Sequence, residues 1–212
     1  MVAVAGTGTL LRYANAVRPA SPPVEAAQPA LLWSRYLPLL LVNWGLTLYV
    51  SRLFRQGNAL PGLLGRRWDS TRRAATDLAL ALATGAVIRL LEGLSARTLD
   101  LGPNAAVVAL LPSTGADRLG WVLVACSVGF CEEVVYRGYL QTQLTALTRH
   151  VSAGVILQAL LFGIAHGEQG LLAALRMAGY GLLLGALARF RRSLLPGIAC
   201  HVGIDLASGL LR

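Results

Sequence analysis

The sequence predicts an all-α, polytopic membrane helical bundle of about six to eight spans, and three observations carry that prediction. Of its 212 residues 55% are hydrophobic and 14% charged, and the mean hydropathy is +0.59, whereas a soluble domain is about 45–50% apolar. The apolar residues gather into stretches of roughly 20, the length at which a helix crosses the hydrocarbon core. The arginines gather between those stretches, where the positive-inside rule places them. The formal charge of +9 therefore reads as membrane topology and not as a nucleic-acid surface. A multi-pass integral protein in contact with membrane lipids is expected, in a bacterial cell membrane, with no nucleic-acid partner.

Residues 1–30 are rich in Ala and Pro and lack a basic segment followed by a long apolar core. They are expected to form a flexible N-terminal lead and not a cleavable signal. Residues 31–118 form the N-terminal membrane part, with spans at 31–53 and 74–94 on either side of a connector, 52–73, that holds six arginines against Asp69 alone. The stretch LGPNAAVVALLP at 101–112 is short and bracketed by prolines, which fits a re-entrant or interfacial piece. Residues 119–212 form the core, with spans at 119–147, 151–166, 170–189 and 194–211. In this order Arg149 and Arg189, Arg191 and Arg192 fall on the same side as the 52–73 connector, with Arg12, Arg18 and Arg35 opposite. Gly181 and Gly185 have the small-xxx-small spacing that lets two helices approach closely. Cys126, Cys131 and Cys200 form no CxxC pair and read as small hydrophobes. No inverted repeat of the transporter kind is visible.

Charges inside apolar spans cost a few kcal/mol each on insertion scales and need a partner or a task. Arg89 and Glu92, three apart, can neutralise each other. Arg176, near a helix end, is expected to snorkel. In CEEVVYR, Glu133 and Arg137 stand at i and i+4 and can pair inside the bundle. Glu132 points about 100° away and needs a partner from another helix, or a function. Two further clusters hold the other candidates: LFGIAH, with Phe162 one turn before His166, and LPGIACHVGID, with His201 and Asp205 at the spacing where a carboxylate orients an imidazole.

EExxxR at Glu132 to Arg137, FxxxH at Phe162 to His166 and HxxxD at His201 to Asp205, in that order on successive membrane segments, resemble the CPBP family. This family comprises the type II CAAX prenyl endopeptidases and the bacteriocin-processing, or Abi, proteins. Flanking YRGYL, HGEQG and SLLPGIACH agree, and the resemblance covers 119–212. It implies a glutamic intramembrane endopeptidase in an all-helical bundle, working without a metal or cofactor on a membrane-associated peptide or protein substrate. In it Glu132 and His166 would activate water, and His201 with Asp205 would stabilise the oxyanion, supported by Glu133, Arg137 and Phe162. Members with asparagine at the last position could donate to the oxyanion directly; a carboxylate donates only when protonated. Asp205 is therefore expected to hold His201 as a charged donor.

Two other readings compete. The same Glu132, His166, His201 and Asp205 could be zinc ligands of a membrane metalloprotease, although HExxH is missing. The buried charges could also belong to a transport path, or to a non-catalytic scaffold or immunity protein. The sequence leaves substrate and oligomeric state open. Depth sets a geometric demand on any shared site. Measured from the arginine-rich side, His201 lies roughly 10 Å into its span and His166 roughly 22 Å into its own, so the fourth span must tilt or break, or a boundary must move.

Overall fold

The computed structural model describes residues 32–54, 59–98 and 105–211; the N-terminal lead and the start of the 101–112 piece lie outside them. All six expected spans are helical over most of their described residues. A π-helical turn, Leu32–Tyr36, leads into α1, Leu37–Leu53. Then follow α2, Ala59–Leu64, α3, Thr71–Thr98, and α4, Ala105–Val108. The core comprises α5, Gly115–Glu132, a π-helical stretch Glu133–Leu140, α6, Gln141–Thr148, α7, Val151–Ala165, α8, Leu171–Arg191, and α9, Leu195–Leu210. Among the described residues there is no strand, only an isolated bridge between Gly65 and Ser193. Three helical segments are long and apolar enough to cross a membrane, Thr71–Arg97, Gly115–Thr148 and Leu171–Arg191, while Val151–Ala165 and Leu195–Leu210 are shorter apolar helices. With these spans the chain is an integral membrane protein, and its fold an all-α membrane bundle.

The Gly115–Thr148 rod starts four residues before the expected boundary at 119 because PSTGAD builds a capping box. Thr114 Oγ1 accepts from the Asp117 amide at 3.1 Å, and Asp117 Oδ2 accepts from the Thr114 amide at 3.1 Å, which satisfies two donors that a bare helix start leaves open. Against this rod lies α1, with Trp44 stacked on Phe130 at 5.8 Å and Tyr36 beside Trp121 at 6.1 Å. α9 occupies the centre, packed on α5, α3 and α8. The α7–α8 hairpin closes on its small residues: a Cβ at Gly181 would lie 2.8 Å from Ala159 Cα. Buried Gln158 donates across that contact to the Gly181 carbonyl at 2.8 Å, a polar tie of the kind that joins membrane helices.

The arginine-rich connector is not a free loop. Its short helix α2 turns into the bundle, where buried Leu63 packs with Val134 and Leu194. The connector is also laced to the turn after α8: Arg66 N donates to Arg192 O at 2.9 Å, Leu194 N to Leu64 O at 3.0 Å, and Ser193 Oγ to Arg66 O at 2.7 Å. Gly65 is required at this crossing, since its φ is +73° and a Cβ would meet Arg192 O at 2.6 Å. Asp77 at the start of α3 accepts from Arg191 Nε at 2.6 Å and from Trp68 Nε1 at 2.9 Å. The basic segments 52–73 and 189–192 thus meet at one end of the bundle.

This lacing also answers the depth demand. Leu194 does not sit at the rim; its Cδ1 lies 3.1 Å from where a Cβ of Gly138 would be, and Gly138 stands ten residues before the end of the rod at Thr148. α9 therefore begins roughly 15 Å inside the bundle, which puts His201 roughly 25 Å deep, beside His166 at roughly 22 Å and Glu132 at roughly 24 Å. The last span starts where expected, at Leu195; what differs is its depth, because that start is recessed into the bundle. α7 needs no break, because it ends at Ala165 and His166 caps it.

Candidate active site

Within the rod, the motif that the sequence presents as ordinary helix is wound as a π-helix over Glu133–Leu140. Nothing in the residue types of that stretch signals the change; packing of Gly138 against Leu63 and Leu194 accompanies it. The Thr142 hydroxyl donates to the Gly138 carbonyl in the widened turn at 2.7 Å. Such turns are frequent where a helix carries functional side chains.

The two glutamates of the motif take different surroundings. Glu133 is fully buried, and its Oε1 accepts from Arg137 Nη1 at 2.8 Å. The Arg137 guanidinium lies 4.3 Å from the ring centre of Phe162, a cation–π contact that covers the charge where water does not reach. Glu132 instead lines a cavity of 390 Å³ together with His166, His201 and Asp205. The partner it lacks on its own helix comes from α9: Glu132 Oε2 is 3.7 Å from His201 Nε2.

Ring orientation follows from the hydrogen bonds. His166 Nδ1 is 2.8 Å from the Phe162 carbonyl; a carbonyl only accepts, so Nδ1 carries the proton and Nε2 is left for the cavity. His201 Nδ1 is 3.1 Å from Glu133 Oε1, so this carboxylate accepts from the ring and turns Nε2 toward Glu132. Asp205 Oδ2 stands 3.8 Å from that same Nε2, beyond hydrogen-bond length. Glu133 thus makes the hydrogen bond to His201, while Asp205, to which sequence spacing had pointed, faces Nε2 at ion-pair distance as Glu132 does. Phe162 joins the pieces, with ring contacts to Tyr136 at 5.0 Å, His166 at 4.6 Å and His201 at 6.2 Å.

Three supporting features escaped the sequence reading. Gly197, in LPGIACH, makes room for the buried carboxylate, since a Cβ there would lie 2.8 Å from Glu133 Oε2. Trp121 Nε1 donates to the Asp205 carbonyl at 2.9 Å and fixes the far turn of α9. Arg176, expected to snorkel, is the sixth residue of α8 and lines the same cavity, half-buried with its Nε enclosed. Among the described residues no group of three or more His, Cys, Asp or Glu side chains is placed to hold a metal ion, so a zinc site would require these side chains to draw together.

An apolar helical bundle that buries a carboxylate, two imidazoles and a second carboxylate around one cavity defines a class, the polytopic membrane proteins with a polar reaction chamber below the surface. Residues 114–207 match the Rce1-like family, described as type II CAAX prenyl endopeptidase Rce1-like, and over that segment the chain is similar to this family. Comparison with curated proteins and with solved structures gave no match.

Proposed function

We propose that the protein is a glutamic intramembrane endopeptidase that hydrolyses a peptide bond of a membrane-associated protein or peptide. The observation that carries this reading is the approach of Glu132 Oε2 to His201 Nε2 at 3.7 Å in a cavity that His166 also lines. Water held between Glu132 and His166 Nε2 gives its proton to the carboxylate as its oxygen bonds to the scissile carbonyl carbon. The oxyanion that forms takes a hydrogen bond from His201 Nε2–H, the ring being held through Nδ1 by Glu133. Glu132 then passes the proton to the amine nitrogen as the C–N bond breaks. Arg137 balances Glu133, and Phe162 closes the apolar side.

Glu132→Gln keeps the shape and removes the base, so it is expected to abolish cleavage while the protein still inserts and folds. His166→Ala and His201→Ala should each lower kcat/KM by about 100-fold or more. Mass spectrometry of membrane peptides from cells carrying wild type or Glu132→Gln reads this directly: uncleaved substrate accumulates only in the variant. Full cleavage activity in Glu132→Gln would refute the mechanism, and identical peptide sets with no cleavage by either protein would favour a scaffold.

A further inference from the structure

A second cavity, of 260 Å³, lies at the basic end of the bundle, beside the crossing of Gly65 and Ser193. Its polar wall holds Arg189, Arg192, Gln141 and Thr142, and its apolar wall Phe54, Leu63 and Leu194. Among the described residues no carboxylate lines it. The acids near this end are already taken, Asp77 by Arg191 and Asp69 by Arg73. Arg137 borders the cavity too, but its guanidinium is engaged with Glu133 and Phe162. Arg189 and Arg192 are exposed, and neither forms an ion pair or a side-chain hydrogen bond among the described residues. Arginines at a membrane rim reflect topology alone. These two differ because they share a recess with an apolar wall. A guanidinium pairs with phosphate oxygens, but a free phosphate would gain nothing from Phe54, Leu63 and Leu194. A phosphate carried on acyl chains would use both walls. The outer apolar surface begins next to each of them, with Phe190 73% and Leu53 48% exposed, so such chains can leave the recess along it.

We propose that this cavity binds the headgroup of an anionic glycerophospholipid, with its phosphate on Arg189 and Arg192 and its glycerol unit against Phe54, Leu63 and Leu194. The Thr142 hydroxyl, which donates to the Gly138 carbonyl at 2.7 Å, keeps a lone pair to accept from a headgroup hydroxyl. Occupation has a structural consequence. Leu63 and Leu194 flank the lacing that recesses α9, and Gly138 of the π-helical stretch lines the same cavity. A lipid seated there ties the connector, the turn after α8 and the rod together at one point. Because it binds the folded chain, it raises stability by mass action. The inference stands apart from the proteolytic reading.

The test uses the full-length protein in a neutral detergent, with dioleoylphosphatidylglycerol, dioleoylphosphatidylcholine or glycerol 3-phosphate added in turn. Native mass spectrometry counts the lipid bound, and thermal melts read its effect. Phosphatidylglycerol should bind about 10- to 30-fold tighter than phosphatidylcholine, the preference expected from two arginines near a membrane surface, and should raise Tm. Glycerol 3-phosphate at the same concentration should do neither. Arg189→Gln combined with Arg192→Gln should lower the preference about tenfold or more. Arg66→Gln combined with Arg67→Gln removes the same charge from the same end, at exposed residues that do not line the cavity, and should keep the preference. Should the Arg189 and Arg192 double variant fail to fold, Arg189→Gln alone, at an exposed position, is compared with Arg66→Gln alone. Equal binding of the two lipids would overturn the site, and so would equal losses in the two sets of variants, which would make the attraction a diffuse one to the basic end. A response to glycerol 3-phosphate as large as that to the lipid would overturn the lipid as occupant and leave a free-phosphate pocket.

Discussion

The Arg89–Glu92 pair on α3 and the Glu133–Arg137 pair in the π-helical stretch both close to 2.8 Å, but the side chains of the first are 51% and 39% exposed and those of the second 0% and 0%. In the sequence the two look alike, an acid and an arginine one turn apart in an apolar helix. An exposed pair exchanges one favourable environment for another and contributes little. A buried pair has lost its solvation, and each partner then depends on the other. The buried pair is not even well satisfied, since Glu133 Oε2 and Arg137 Nε and Nη2 have no partner among the described residues. Such a pair is a poor stabiliser compared with packed apolar groups. Its position is better explained by the one contact the exposed pair has no counterpart for, the hold of Glu133 on His201 Nδ1.

The largest effect that sharpens this contrast is expected from Arg137→Ala. It leaves a carboxylate buried without its cation, a loss of about 3–5 kcal/mol, so Tm and protein level should fall together with activity. Glu133→Gln combined with Arg137→Met removes both charges at similar volume and should restore most of the stability while activity stays low, because His201 has lost its carboxylate. Thermal melts in detergent and a cleavage assay on the same preparations separate the two outcomes. Wild-type stability in an inactive Arg137→Ala would move Arg137 into the chemistry or into substrate binding.

A smaller effect is expected from Gly197→Ala. The added Cβ would meet Glu133 Oε2 at 2.8 Å, and a fully buried carboxylate cannot swing aside without breaking its bond to Arg137 or to His201. Overpacking of this kind costs about 1–3 kcal/mol, and turnover should fall more than the melt does, since the His201 contact is the one at risk. Unchanged turnover with a lowered Tm would mean that Glu133 yields without disturbing His201.

How much of this was legible beforehand depended on whether the determining contact was local. The helices, the separate directions of Glu132 and Glu133, and the Glu133–Arg137 pair follow from period and hydropathy along one segment, and the sequence displayed them. Features set by a second segment did not show. The descent of α2 and the recessed start of α9 go with the lacing of Gly65 and Arg66 to Arg192 and Ser193, residues more than 120 apart, and the π winding at 133–140 goes with the packing of Gly138 against Leu63 and Leu194. Asp205 was legible as a neighbour of His201 by spacing, but Glu133, 68 residues away, stands nearer. That Arg176 lines the cavity was not legible, because position along a helix says nothing of which face looks inward.

The smallest effect tests the exposed side of the comparison. Arg89→Met combined with Glu92→Gln removes the α3 pair while keeping its apolar stems, which pack along the helix. With both side chains more than a third exposed, the pair should contribute less than about 1 kcal/mol, so the melt should barely move. Each single variant should also be mild, because Arg89 and Glu92 line the open cavity, where the residue left behind keeps access to water, which is the condition Glu133 lacks in Arg137→Ala. Measuring Tm for the two singles and the double gives the coupling energy of the pair. A coupling near zero supports burial as the variable that separates the two pairs. A coupling as large as that of Glu133 and Arg137 would show that contact distance governs both, and the special standing of the buried pair would then rest on His201 alone.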